Sequence, residues 1–470
     1  MSDEQRRDSC GVYGNEIINT PNIDALAQSG ATFNNAYCNS PLCVPSRSSM
    51  VTGQYVNQIK SWGNNMPWHG NVTSWNQILQ ENDYQTISIG KLHFRSTKDN
   101  NGFDEEIIPM HIYNEIGDPL GLIRDEIPQI KKFRSYIDDA GPGESSYTSY
   151  DTMICSEAIE WIKTKGVQSG KPWFLYTGFV APHPPYIAPS KFYDIYSSKD
   201  FSLYKHTNKT KLSNHPIVND FRYHLNLEDD FSPATINNAI AAYYGLVSFL
   251  DFNIGQLLDA LSETGLKENT YILFCSDHGE CMGQRGLWAK SVLYEESVGI
   301  PLILTGPDIK NKQTCETPAS LIDIFPTVLD ISSVQPGKKT AINKDSISLL
   351  KLLDEDYDSD RKVFSEYHAV GSPTSSFMIR KGEWKYIHYN LYEDELYNLK
   401  KDPFELDNKF MQPDHQDISQ ELWADLLKIC DPKLVFDQAI KDAGQLLERL
   451  GGKKTLFEQE SFGATPPPGI

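Results

Sequence analysis

The sequence predicts an α/β protein built on a mainly parallel sheet and followed by a smaller C-terminal α+β subdomain. Short apolar runs of strand length recur along the chain. Each is apolar on both faces and is followed at once by polar, chemically useful residues. Stretches of helical period lie between these runs, and strands alternating with helices pair in parallel through crossovers. A third observation marks the boundary: at Asp354-Glu355-Asp356-Tyr357-Asp358-Ser359-Asp360 the composition turns acidic and polar. The α/β part is therefore placed at residues 1–353 and the subdomain at 361–470.

In chain order, the first helix has Thr20 at its cap, Pro21 in its first turn and Gly30 just past its end. Thr86-Ile87-Ser88-Ile89-Gly90 is a strand leading into Lys91 and His93. Trp173-Phe174-Leu175-Tyr176-Thr177-Gly178-Phe179 is a second, leading into Pro182-His183-Pro184. Ile240, Tyr243, Val247, Leu250, Ile254, Leu257 and Leu261 keep a helical period that ends at Gly265, a stripe that packs and carries no chemistry. Tyr271-Ile272-Leu273-Phe274-Cys275-Ser276 is a third strand, leading into Asp277-His278-Gly279-Glu280. Polar residues at the C-terminal ends of such strands are where open α/β sheets hold ligands.

Beyond the boundary, Ser376-Phe377-Met378-Ile379-Arg380 and Trp384-Lys385-Tyr386-Ile387-His388-Tyr389 form a hairpin around Lys381-Gly382-Glu383. Glu395-Leu396-Tyr397-Asn398-Leu399 adds a strand, and residues 420–450 read as helical with a break at Asp431-Pro432. The end, Thr465-Pro466-Pro467-Pro468-Gly469-Ile470, is too proline-rich to pack as an element and could reach a neighbouring subunit of a homo-oligomer.

Composition narrows the partners. With 39% hydrophobic and 11% aromatic residues the chain can bury a large core, which excludes wholesale disorder. Lys+Arg 43 against Asp+Glu 63 gives a net charge of −20, which argues against nucleic acid or an anionic membrane as a general partner. An anionic substrate must then be held by a few local cations and a metal. The cysteines show no metal-type C-x-x-C pair and are too sparse for a disulfide framework. No apolar stretch reaches the roughly 18 residues of a membrane span. The polar start Met1-Ser2-Asp3-Glu4-Gln5-Arg6-Arg7 is no signal peptide, so a cytoplasmic location is expected.

Two residue sets point to chemistry. Asp3 and Glu4, with Asp277 and His278 far along the chain, could make one divalent-metal site from two strand ends. Carboxylates suit a hard cation, and an imidazole shifts the preference toward manganese or a similar metal. The other set surrounds Cys43 in Asn39-Ser40-Pro41-Leu42-Cys43-Val44-Pro45-Ser46-Arg47-Ser48-Ser49-Met50-Val51-Thr52-Gly53. A plain thiolate nucleophile would need a partner that lowers its pKa. No histidine lies nearby in sequence, and the C-x-x-x-x-x-R loop of the cysteine phosphatases is absent.

The run Cys43-Val44-Pro45-Ser46-Arg47, with Ser48, Thr52 and Gly53, resembles the C-x-P-x-R signature of the type I sulfatases, in which the cysteine is oxidised to formylglycine. Further segments match in order. Asp3-Glu4 stands where the family's first strand ends in acidic metal ligands, and Asp277-His278-Gly279 matches its later metal loop. Gly90-Lys91-Leu92-His93 resembles its G-K-x-H segment and Pro182-His183-Pro184 its P-H-x-P segment. Gly286-Leu287-Trp288-Ala289-Lys290, followed by Tyr294-Glu295-Glu296-Ser297, resembles the segment bearing its second lysine.

The resemblance implies an alkaline-phosphatase-like sandwich that hydrolyses sulfate monoesters with formylglycine at position 43 and one divalent metal (calcium, or manganese or magnesium). Asp3, Glu4, Asp277 and His278 would be the metal ligands. It implies that Arg47 holds the formylglycine hydrate and that Lys91 and Lys290 clamp the sulfate oxygens. His93 would take the proton that collapses the sulfated intermediate, His183 would protonate the leaving alcohol, and Asn64 would face the substrate. The partners implied are a small-molecule sulfate ester and a formylglycine-generating maturation enzyme. Glu4 stands where most sulfatases have Asp and His278 where many have Asn. The Asp-His form, the Gly-Leu-Trp-x-Lys run and the proline-rich ending lean toward the choline sulfatase and phosphonate monoester hydrolase branch, so cleavage of phosphonate monoesters or phosphodiesters is the alternative. The family's first strand is represented here only by Met1 and Ser2. An N-terminally truncated, inactive remnant is therefore a further alternative. Which ester is cleaved is not readable from the chain.

Overall fold

The computed structural model describes residues 1–201, 215–337, 340–458 and 465–469. The strands that build its main sheet are β1 (Ala31–Phe33), β2 (Gln85–Lys91), β3 (Glu105–Met110), β4 (Trp173–Gly178), β5 (Ile272–Cys275), β6 (Leu302–Thr305) and β7 (Gln313–Cys315). Strands β3-β2-β4 run parallel on one side, and β5-β6-β1-β7 lie on the other, with β6 alone antiparallel to its neighbours. Met1 to Asp3 lie between the two groups, Ser2 bridging in parallel to Ser276 and Asp3 to Pro182. The Met1 amine donates to the Thr177 carbonyl at 2.8 Å, Ser2 N–H to Cys275 O at 3.0 Å and Phe179 N–H to Met1 O at 2.9 Å. The mainly parallel sheet expected from the sequence is present, and Met1–Asp3 join its two groups.

Alternation along the strands feeds two apolar layers. Ile87 and Ile89 of β2, Phe274 of β5 and Ile303 of β6 face helices α1 (Pro21–Gln28), α3 (Ser146–Trp161) and α4 (Pro233–Glu263). Tyr176, Cys275, Leu302 and Leu304 face the other way. There Met50 and Val51 of α2 (Cys43–Thr52) and Phe325 and Leu329 of α5 (Ile324–Ser332) complete the core. The stripe read from the sequence is the buried face of α4. Thr20 sits at the N-cap of α1 but does not cap it with its side chain, because its hydroxyl accepts from Gly11 N–H. Asp251 of α4 serves instead, accepting from the Asn22 and Ile23 N–H groups at the start of α1.

The C-terminal part is a four-stranded antiparallel meander, β8 (Lys362–Tyr367), β9 (Ser376–Lys381), β10 (Trp384–Tyr389) and β11 (Glu395–Asn398). The expected hairpin is β9–β10 with Gly382 in the left-handed region at its turn. Strand β8 was not read from the sequence. One face carries α6 (Gln416–Ile429) against Phe377 and Ile379, and α7 (Pro432–Arg449) follows the predicted break. The opposite face, with Val363, Met378 and Ile387, joins the main core. Part of the proline-rich end packs on its own chain: Pro467 is buried and the Thr465 carbonyl accepts from Tyr147. Ile470 lies outside the described residues. All eight cysteines are free. No described helix is long and apolar enough to cross a membrane.

Candidate active site

The C-terminal ends of β2, β4, Met1–Asp3 and β5 lie side by side, and each delivers the polar residues that follow it to one place. From β2 come Lys91 and His93. The loop after β4 brings His183, Asp3 and Glu4 follow Ser2, and Asp277 and His278 follow β5. Helix α2 points its first residue, Cys43, into this group. Its N-terminal N–H groups and dipole favour an anion at that point. The Asn64 amide oxygen accepts from Val44 N–H at 3.1 Å and so caps α2 from a separate loop. Asn64 also lines the cavity. Gly53 ends the helix in the left-handed region, where a Cβ would strike Phe325.

The Cys43 sulfur lies 3.3 Å from His278 Nε2 and 3.6 Å from an Asp3 carboxylate oxygen. Burial, reinforced by Asp3, pushes this thiol up to about 11, so it is not a thiolate at neutral pH. Asp3, Cys43, Asp277 and His278 each offer one ligand atom within 4.8 Å of one another. His278 Nδ1 donates to the Gly279 carbonyl at 3.0 Å, which leaves the Nε2 lone pair turned into the cluster. Gly279 is required here, since a Cβ would collide with the Glu296 carbonyl.

Glu4 differs from its sequence expectation. Its backbone turns into the left-handed region, its carboxylate ion-pairs with Lys290, and Oε2 lies 3.4 Å from His183 Nε2. Its carboxylate groups with Asp3 and His183 instead of with Asp277 and His278. The other oxygen, Oε1, is buried without a partner. Two carboxylates, one imidazole and an unpartnered carboxylate oxygen fit one divalent ion of the calcium, magnesium or manganese kind.

Arg47 also differs. It is 1% exposed and spends its fork below the cluster: Nε on Asp277 at 2.8 Å, Nη2 on Asp3 at 3.3 Å, and Nη1 on the Lys91 carbonyl at 2.9 Å and Tyr176 at 3.1 Å. Its fork is thus taken up by the Asp3 and Asp277 carboxylates, the Lys91 carbonyl and Tyr176. Lys91 ion-pairs with Asp3. Although burial disfavours the charge on Lys290, Glu4 beside it holds the lysine protonated. His93 stands in the left-handed region with both ring nitrogens buried and unpartnered. Burial, with Lys91 and Arg47 close by, keeps it neutral. His183 donates from Nδ1 to the Pro184 carbonyl at 2.7 Å, and burial together with Lys290 keeps its ring neutral too.

The group opens into a cavity of about 160 Å³ that Cys43, Asn64, Lys91, His93, His183 and Lys290 line at its base. All the residues expected at the site are thus assembled, Arg47 from beneath it. A familiar family model decides what this assembly belongs to: the one described as Sulfatase matches residues 1–334.

The chain belongs to the sulfatase family.

It is accordingly a sulfuric ester hydrolase. A second model, described as N-sulphoglucosamine sulphohydrolase, C-terminal, matches residues 283–431 of this sulfatase. Arylsulfatase K of Danio rerio is 30% identical over 435 residues, covering 89% of this chain and 80% of the relative. The choline-sulfatase of Rhizobium meliloti is 29% identical over 416 residues, covering 85% and 79%. The solved structure of a protein in complex with its substrate D-glucosamine-2-N,6-O-disulfate shares the fold with a TM-score of 0.71 at 23% identity, covering 94% of this chain and 97% of that one. The phosphonate monoester hydrolase of Agrobacterium radiobacter also gives 0.71, at 20% identity and covering 91% and 94%.

Sequence reading noted Glu280 after the third strand but gave it no role; its carboxylate accepts from Met282 N–H, Ala289 N–H and the Tyr186 hydroxyl and so shapes the loop that returns Lys290 to the site. It missed Asp151, a carboxylate on the buried face of α3. A charge interrupting the apolar stripe of Tyr147, Tyr150, Ile154 and Ala158 was the available signal.

Proposed function

We propose that this sulfatase cleaves monosulfate esters of compact, weakly polar alcohols, with residue 43 in its formylglycine form as nucleophile. The observation that carries the reading is the position of Cys43, at a helix N-terminus between the metal-ligand cluster and the two lysines, on the floor of the cavity. As the hydrate, residue 43 would supply one hydroxyl to attack sulfur and a second to break the covalent link. Asp3, Asp277 and His278, with Oε1 of Glu4, would hold one divalent ion, which supplies positive charge against the sulfate oxygens. Lys91 and Lys290 hold the same oxygens from the sides. His93, with both nitrogens free of protein partners, takes the proton of the second hydroxyl. His183 delivers a proton to the leaving oxygen from Nε2, its Nδ1 proton being fixed on Pro184. An anionic ester in the cavity favours the imidazolium this requires.

The walls argue for the size and polarity of the alcohol. Ile112, Ile130, Phe133, Tyr136, Phe221 and Leu225 line the cavity, and the two lysines that line it are paired with Asp3 and Glu4. A polysulfated sugar would bring anions to walls without counter-charges, whereas a cavity near 150 Å³ accepts a benzene-sized group.

Expression with a maturation enzyme and peptide mass spectrometry across residues 34–47 should detect the aldehyde or its hydrate at position 43. The matured protein should then prefer phenyl and 4-nitrophenyl sulfates to glucosamine disulfate and to phosphonate monoesters by at least tenfold in kcat/KM. Unmodified thiol under conditions that mature another sulfatase would sink the nucleophile assignment. A preference for the disulfate or the phosphonate would sink the substrate class.

A further inference from the structure

His183 sits on a loop that the sheet holds only through Met1–Asp3. Pairing of β4 with β2 ends at Gly178. Beyond it Phe179 N–H reaches Met1 O and Asp3 bridges to Pro182, but the N–H groups of Val180 and Ala181 find no backbone acceptor. Both are taken by one side chain: Asp151 of α3 accepts from Val180 N–H with Oδ1 and from Ala181 N–H with Oδ2, each at 2.7 Å. This pair of residues is also a joint. The Ala181 carbonyl accepts from Asp3 N–H at 3.4 Å, and the Val180 carbonyl from His183 N–H at 3.0 Å. One turn earlier on α3, Tyr147 stands edge-on to the His183 ring, with centroids 5.8 Å apart and planes at 74°. Its hydroxyl is turned away to the Thr465 carbonyl at 2.7 Å. A single face of α3 therefore backs the histidine twice, through the backbone that carries it and through its ring.

Asp151 is fully buried, and burial raises its carboxyl to about 7. A buried carboxylate without an ion-pair partner is costly to a fold, so the two N–H groups it satisfies are its compensation. Asparagine in its place would offer one acceptor and turn an NH2 toward the second N–H.

We propose that Asp151 is a positioning residue for sulfate ester hydrolysis, holding residues 179–183 so that Asp3 and His183 keep their register across the site. The proposal rests on the reading of His183 as the group that protonates the leaving oxygen.

The test compares Asp151→Asn, Asp151→Glu, His183→Ala and the Asp151→Asn/His183→Ala double variant in matured, metal-loaded enzyme. The substrates are phenyl sulfate, whose leaving oxygen needs a proton, and 4-nitrophenyl sulfate, whose leaving oxygen needs it little. Asp151→Asn should lower kcat on phenyl sulfate at least tenfold more than on 4-nitrophenyl sulfate, and the double variant should be no worse than His183→Ala. Asp151→Glu, which keeps both acceptors, should recover part of the loss. Hydrogen exchange of the peptide spanning residues 179–186 should quicken in Asp151→Asn while the β9–β10 hairpin exchanges as in the wild type. Equal losses on both esters, multiplying losses in the double variant, or unchanged exchange across 179–186 would each overturn the proposal. A wild type that hydrolyses neither ester would remove the reading of the site, and Asp151 would then stand or fall on the exchange measurement.

Discussion

Among single residues, the site is decided by which cation answers which carboxylate. Arg47 and Lys91 both lie on Asp3, and burial of that carboxyl is outweighed by Lys91 and Arg47, which hold it well below the usual carboxylate range. It is therefore an anion ready for a metal. We expect Asp277→Ala and His278→Ala each to abolish turnover and weaken metal binding, because lost ligands leave the rest mispaired. Cys43→Ala should abolish turnover while metal content, measured by elemental analysis, stays near that of the wild type. Equal metal retention in all three would take Asp277 and His278 out of the metal site. Asp277, His278, His93 and His183 were legible because each follows an apolar run, whereas Asp3 and Glu4 follow only Met1 and Ser2 and were placed by resemblance. The partners of Arg47 and Glu4 were not legible, since Lys290 meets Glu4 across 286 positions of sequence. His224 gives a different test. It lines the cavity, its Nδ1 donates to Pro128 O at 2.5 Å, and burial lowers its pKa to about 4. The unfolded chain takes up this proton near the ordinary histidine value and the folded one only near pH 4, so stability is full above about 6.5 and falls between 6.5 and 4. By pH 4 the loss is on the order of 3 kcal/mol. In urea unfolding, His224→Gln should show a shallower decline over that window, and an unchanged slope would refute the assignment.

At the level of elements, the short helix α2 matters most because its first residue, Cys43, lies in the cluster with Asp3, Asp277 and His278. Its N-cap residue, Leu42, has no side chain able to cap, so the N–H of Val44 depends on Asn64 from another loop. Asn64→Ala should cost about 1 kcal/mol in unfolding free energy, as other lost caps do. It should also lower kcat by roughly ten- to a hundredfold, because residue 43 shifts relative to the cluster. A loss of stability with unchanged kcat would reduce Asn64 to a cap alone. Strands β2, β4 and β5 were readable as apolar runs before polar residues, whereas β1 and β7 are each only three residues long. Such pieces are held by their neighbours in the sheet and leave little periodicity to read. Strand β8 hid for another reason: Ser365 and Glu366 are buried within it, so its alternation is broken by polar residues, of which Glu366 accepts from Asn57 N–H of a distant segment.

Across the whole molecule, the boundary near residue 354 divides the chain by composition but not by core. Val363, Tyr367, Met378, Ile387 and Tyr389 of the C-terminal sheet lie in the same apolar cluster as Leu42, Met50 and Val51 at helix α2 and Leu302 of β6. Polar ties cross the same seam. Lys385, fully buried, pairs with Glu295, and Tyr294 donates to Glu395 at 2.9 Å. Exposing those five side chains at about 1.5–3 kcal/mol each would cost about 10 kcal/mol. That is the whole margin of an ordinary domain. A fragment of residues 1–353 should therefore fail to fold alone: insoluble on expression, or without a cooperative unfolding transition if refolded. Co-expression with residues 354–470 should restore soluble protein, metal content and turnover together, because the second piece returns both the apolar face and the Lys385 contacts. A soluble, cooperatively folding 1–353 fragment would show that the shared cluster is not needed to hold α2 in place.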